Sequence, residues 1–265
     1  LAEDWRRKQL EYSWLRAITG EHVPFWDVTQ DALDWAMEHH GLDDLELRTH
    51  RVPVDDQGID VARGVALAPA ARAAFVTPSH QYPVGMPLSM ARRQALIGWA
   101  ERNQAWIVED DYEFEMAYPT APQPALKSLD RDGRVIYVGS FSKSLFPGLR
   151  LGYLVGDETF IREVRSLRAS VLRHPPGHVQ RTTAHFLALG HYDALMRRQA
   201  RALHQRREAM EAAITAQGLE VAGLPGVGGS SFWLRAPERM DTIRLFERLQ
   251  EQSVLIEPGH NFFAG

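Results

Sequence analysis

A lysine set among hydroxyls and next to a glycine, Gly139-Ser140-Phe141-Ser142-Lys143-Ser144, carries the most specific chemistry in this sequence. A lysine amine condenses with an aldehyde to give an imine, and afterwards serves as acid and base at the neighbouring carbon. Arg150 follows closely, and Asp110 and Tyr112 precede on a separate stretch. A carboxylate against a pyridine nitrogen keeps that nitrogen protonated and makes the ring an electron sink. A phenol suits a ring hydroxyl, while the hydroxyls of Ser140 and Ser142 and a bidentate guanidinium suit a phosphate dianion. Together these residues form a kit for a phosphorylated pyridine aldehyde. Lysine usage sharpens the reading. Among 30 basic residues only Lys8, Lys127 and Lys143 are lysines, and arginine forms no imine under physiological conditions.

The elements that must position these groups follow from periodicity and turn chemistry. Apolar runs at Ala73–Thr77, Trp106–Val108 and Val135–Val138 each end in polar residues, and another strand is expected over Leu151–Val155. Ser89–Asn103 reads as an amphipathic helix with Ala91, Ala95, Leu96 and Trp99 on one face. Upstream, Ala32–Gly41 reads as a helix ended by glycine, and Leu45–Val54 as a strand entering an Asp55-Asp56-Gln57-Gly58 turn. After Glu158 helices dominate: one to about Ser170, one over Val179–Leu189, and a long one over Tyr192–Gln217. Leu219–Gly265 reads as a smaller α+β unit. Strands alternating with helices predict an α/β fold, a mostly parallel sheet flanked by helices with a smaller C-terminal α+β domain. Ligands of such sheets lie beyond the carboxyl ends of the strands, which is where the polar groups above fall. The expected organisation is a large cofactor-binding domain over 1–156 and a helical link with a small C-terminal domain over 157–265, divided near Gly156-Asp157. Both ends read as cut, since the chain opens on Leu1 rather than Met and stops at Phe263-Ala264-Gly265.

The run Gly139-Ser-Phe-Ser-Lys-Ser-Leu-Phe-Pro-Gly-Leu-Arg-Leu-Gly-Tyr153 is preceded by Val108-Glu-Asp-Asp-Tyr112 and Thr77-Pro-Ser-His-Gln-Tyr-Pro83. In this wording the sequence resembles fold-type-I aminotransferases, and more narrowly the MocR group of bacterial transcription regulators. There a GntR-type winged helix-turn-helix is fused to an aminotransferase-like domain that binds pyridoxal phosphate. The likeness runs from about Val52 to Arg207. It implies pyridoxal 5'-phosphate as cofactor, Lys143 as the Schiff-base lysine and Asp110 as partner of the ring nitrogen. Tyr112 would meet the ring hydroxyl, and Ser140, Ser142 and Arg150 the phosphate. Asp111 is the alternative ring partner if the register shifts by one. The resemblance also implies a cytoplasmic homodimer, a small amino compound as effector or substrate, and DNA contact through a domain outside this chain. Departures accompany the match. Tyr82 stands where aminotransferases carry an asparagine before Pro83-Val84-Gly85, only Thr19-Gly20 marks an upstream phosphate loop, and Trp26–Gln30 lacks the aromatic turn expected to stack on the cofactor. The arginine that grips a substrate carboxylate is expected beyond Phe263.

Composition removes several other classes. The net charge of −4 and the absence of cysteine give no basic surplus, no disulfide framework and no thiol catalysis. No apolar run approaches the ~20 residues of a membrane span. The histidines lack a His-Glu-x-x-His spacing, so no metal site is expected. Gly226–Ser231 lacks the lysine of a phosphate-binding P-loop. Arg197, Arg198, Arg201, Arg206 and Arg207, opposite Leu195, Leu203, Met210 and Ile214, read as the solvated face of one helix. Two functions then compete: a regulator whose cofactor-bound domain recognises an amino compound by imine exchange on Lys143, and a free-standing aminotransferase using the same lysine. A domain that binds cofactor without turnover is a weaker third.

Overall fold

The computed structural model describes residues 48–81, 83–112, 123–171, 176–222, 230–238 and 240–262, together with residues 8, 31, 32, 34, 35 and 39. The chain forms two compact units, residues 50–235 and residues 1–49 with 236–265.

The larger unit is built on a four-stranded sheet ordered β3-β4-β5-β6, with β3 at Ala73–Val76, β4 at Trp106–Asp110, β5 at Val135–Ser140 and β6 at Gly152–Val155. The first three strands run parallel, with Ala73 opposite Trp106 and Ile107 opposite Val135. β6 is antiparallel to β5. Only a four-residue helix, Phe141–Ser144, and a single 3-10 turn, Pro147–Leu149, separate β5 from β6. That excursion is too short for the dozen or more residues of a parallel crossover, so the chain must turn back. A small hairpin, β1 at Val54–Asp55 and β2 at Gly58–Ile59, precedes the sheet. The long strand expected over Leu45–Val54 reduces to its last residue, because residues 48–53 find no ladder partner and 45–47 lie outside the described residues.

Helix Met90–Asn103 covers one face of the sheet. Ser89 caps it, its hydroxyl accepting from the Arg92 amide at 3.4 Å, and Gln104 ends it in the left-handed region. Its buried stripe is Arg93, Leu96, Ile97, Trp99 and Ala100. Leu96 and Trp99 lie inward as expected, whereas Ala91 and Ala95 face solvent. The buried positions Arg93, Leu96, Ile97 and Ala100 keep the i, i+3, i+4, i+7 spacing of one helix face, which turns Ala91 and Ala95 outward. This stripe joins Val76, Ile107, Leu126 and Val135 in the main core.

The helices after β6 run over Glu158–Val171, Gly177–Ala188 and His191–Ala216, within a few residues of expectation. One expectation fails on the long helix. Arg207 is buried, paired with Glu211 at 2.8 Å and lying over the Phe232 ring at 4.3 Å, while Met210 is 52 % exposed. A guanidinium stacked on an aromatic and neutralised by a carboxylate can be buried where a bare charge cannot. Strands Glu220–Val221 and Leu234–Arg235 pair antiparallel, and helix Thr242–Gln250 is capped by Asp241. Among the described residues no helix is long and apolar enough to cross a membrane.

Candidate active site at the carboxyl edge of the sheet

Strand register brings the predicted residues to one edge. Asp110, the last residue of β4, lies opposite Val138 of β5, and the Asp111 amide donates to the Val138 carbonyl at 3.1 Å. Two residues on, Ser140 lies opposite Gly152, and the Phe141 amide donates to the Leu151 carbonyl at 3.0 Å. Because strand side chains alternate, Asp110, Val138 and Ser140 share the face away from helix Met90–Asn103, and Glu109 and Tyr137 share the other.

The two adjacent aspartates are therefore placed differently. Asp110 is exposed, whereas Asp111 is 3 % exposed and accepts from the Tyr137 hydroxyl at 3.2 Å. Burial and the neighbouring Asp111 charge both push the Tyr137 phenol well above its ordinary range. Tyr112 turns its hydroxyl to the His80 carbonyl at 3.2 Å and meets the His80 ring edge-on.

Past β5 the chain enters the helix Phe141–Ser144, where the Ser140 hydroxyl accepts from the Ser142 amide at 3.1 Å. Lys143 is exposed in this turn, and the buried Ser144 hydroxyl has no hydrogen-bond partner among the described residues. The three lysines differ in a telling way. The Lys8 ammonium lies over the Trp35 ring at 4.6 Å, and Lys127 pairs with Asp130 at 2.8 Å. Lys143 alone has no ion-pair or aromatic partner among the described residues. Arg150, exposed just before β6, has left-handed backbone with φ 49° and likewise no ion-pair partner among the described residues.

Glycine is required twice here. A Cβ on Gly139 would overlap the Tyr153 ring, and one on Gly152 would come within 2.8 Å of the Gly139 carbonyl oxygen. Around them Phe141 contacts both Tyr153, at 5.4 Å between ring centroids, and Tyr192 of the long helix, at 5.9 Å.

Sequence reasoning missed two buried charges under this edge. Arg93 is fully buried, and so is Glu109, whose carboxylate accepts from the Leu126 amide at 2.7 Å and the Lys127 amide at 2.8 Å. Burial raises the Glu109 carboxyl above its ordinary range, against the pull of those amides and of Arg93. A charged residue within the apolar stripe of the helix was the available signal for Arg93. Tyr82, Thr19-Gly20 and Trp26–Gln30 lie outside the described residues, as do Gly226–Gly229. Among the described residues no group of three histidines or carboxylates could hold a metal.

The donor set fits a phosphorylated pyridine aldehyde. It offers an accessible amine, an accessible guanidinium, hydroxyls on the same turn and a carboxylate on the open face. The family model for aminotransferase class I and II matches residues 26–264. The chain belongs to this family. Its members of this fold are generally dependent on pyridoxal phosphate. Among curated proteins it is 54 % identical over 212 residues to the HTH-type transcriptional regulator TauR of Rhodobacter capsulatus, covering 80 % of this chain and 43 % of that protein. It is 38 % identical over 140 residues to the probable rhizopine catabolism regulatory protein MocR of Rhizobium meliloti, covering 53 % of this chain and 28 % of that one. The chain thus spans less than half the length of these relatives. Among solved structures it superposes on the kynurenine aminotransferase of Pyrococcus horikoshii with a TM-score of 0.74 and 27 % identity, over 84 % of this chain and 57 % of that one. These likenesses agree with the fold-type-I architecture and the regulator resemblance read from the sequence.

Proposed function

We propose that this chain is the pyridoxal-phosphate-binding, effector-sensing part of a bacterial transcription regulator, cytoplasmic and homodimeric, in which Lys143 anchors the cofactor. The observation that carries this reading is the state of Lys143. It is the one lysine of three without an ion-pair or aromatic partner among the described residues, and it stands on the strand edge that also bears Asp110, Ser140 and Arg150. When bound, pyridoxal phosphate supplies an aldehyde for which the Lys143 amine and the amine of a small ligand compete. Asp110, on the open face, would hold the proton of the ring nitrogen. Tyr112, whose hydroxyl donates to the His80 carbonyl, would offer the oxygen of that hydroxyl as acceptor to the ring hydroxyl, and Ser140, Ser142 and Arg150 would bind the phosphate. DNA contact belongs to a domain outside this chain, in keeping with the helix-turn-helix in TauR's name. A free-standing aminotransferase is the less favoured reading, because the higher-identity likenesses are to regulators.

Borohydride reduction of the cofactor-loaded protein followed by peptide mapping tests the anchor. The label is expected on Lys143, and Lys143→Ala should abolish it while leaving the fold intact, as circular dichroism would show. A label on Lys8 or Lys127 would sink the proposal.

A further inference from the structure

We infer that Arg93 is a positioning residue for the cofactor site, acting through the loop that receives Tyr112; this rests on the function proposed above. The guanidinium is fully buried and spends each of its nitrogens on a different backbone carbonyl. Nε donates to Leu88 at 2.9 Å, one terminal nitrogen to Pro124 at 2.9 Å and the other to Pro78 at 2.7 Å. An arginine kept for charge pairing would meet a carboxylate side-on. This one holds three main-chain oxygens in segments where the sheet ladder has ended and buried carbonyls need another donor.

Those segments flank Tyr112. Pro78 leads directly into the loop Ser79–Met86, closed by the Gln81 amide to the Met86 carbonyl at 2.9 Å and the Gly85 amide to the Gln81 carbonyl at 2.7 Å. The His80 carbonyl in that loop accepts from the Tyr112 hydroxyl. The Pro78 oxygen also accepts from the Leu88 amide at 2.8 Å, so Arg93 fastens both the entry and the exit of the loop. On the other side, Pro124 leads into the helix Leu126–Leu129, whose Leu126 and Lys127 amides Glu109 holds. One buried cation therefore clamps both the loop Tyr112 reaches and the start of the segment that carries Leu126 and Lys127. Through them Arg93 sets where the phenol stands relative to Asp110.

A double-mutant cycle on the pyridoxal-phosphate-loaded, full-length protein separates positioning from mere stability. The readouts are the wavelength of the visible absorption band and the dissociation constant for pyridoxal phosphate. Arg93→Met should shift the band in the same direction as Tyr112→Phe and weaken binding by about the same factor. Added to Tyr112→Phe it should do nothing further, the non-additivity expected of residues acting as one unit. Arg93→Lys, which keeps a donor at this position, should restore part of the wild-type band. If Arg93→Met does not fold, the same cycle with Arg93→Lys decides. Additive shifts, or a wild-type band in the Arg93 variant, overturn the positioning role alone. A wild-type protein that carries no cofactor on Lys143 overturns the role and the proposed function together.

Discussion

Asp110 and Asp111 are chemically identical and one bond apart along the chain, yet the pleat gives them opposite tasks. Asp110→Asn should leave thermal stability near wild type and alter the cofactor's absorption, because it removes a charge from the open face. Asp111→Ala should do the reverse. It strips an acceptor from the half-buried Tyr137 hydroxyl, a lost hydrogen bond costing ~0.5–1.5 kcal/mol, while the borohydride label on Lys143 persists. Melting curves and absorption spectra of both variants check this, and a larger spectral change in the Asp111 variant would reassign the ring partner. At this scale much of the site was legible in the residues themselves. Lys143, Ser140, Ser142 and Arg150 lie on one local excursion, so their spacing records their geometry. The tasks of Arg93 and Glu109 were not legible, because most of their partners are backbone groups more than a dozen residues away, and a backbone group carries no sequence signature.

Elements hold these residues through contacts that leave little room. Gly152→Ala would press a methyl on a carbonyl oxygen of the adjacent strand, which no rotamer change relieves, so the β5–β6 pair must part or shift. Gly139→Ala meets the Tyr153 ring first, and Gly139→Ala combined with Tyr153→Ala should recover much of its lost stability. Thermal melts of the three variants should rank accordingly, with Gly152→Ala lowest. Asp130 fastens the start of β5, accepting from the Arg134 amide at 2.9 Å, the Val135 amide at 3.0 Å and Lys127 at 2.8 Å. Burial alone would raise its carboxyl, but these donors outweigh burial and hold it below the ordinary value of 3.8. A depressed carboxyl stabilises the fold above its unfolded value and loses that contribution as pH falls through the folded one. Asp130→Asn should therefore cost ~1–3 kcal/mol at neutral pH, and denaturant titrations should show the difference shrinking below the ordinary value. Strand positions were readable because apolar runs ended in polar groups. The strand over Leu45–Val54 was not, since alternation records a side-chain pattern and not whether a partner strand is at hand.

The larger unit leaves apolar surface on the sheet face away from helix Met90–Asn103. Phe75 is 74 % exposed and Leu154 42 % exposed. Exposed apolar patches favour association. Residues 1–265 produced alone should bind a hydrophobic dye and self-associate more than a polypeptide extended to the length of the curated relatives, and Phe75→Ser should reduce both signals. Dye fluorescence and sedimentation measure them, and equal behaviour of short and extended chains would show that this face needs no cover.

Arg150 holds a backbone conformation that glycine adopts without cost and that a side chain resists by ~1–2 kcal/mol. Two selections applied to the same gene would therefore pull this codon apart. Screening variants only for survival at high temperature should enrich glycine at position 150, whereas screening for retained pyridoxal phosphate should restore arginine.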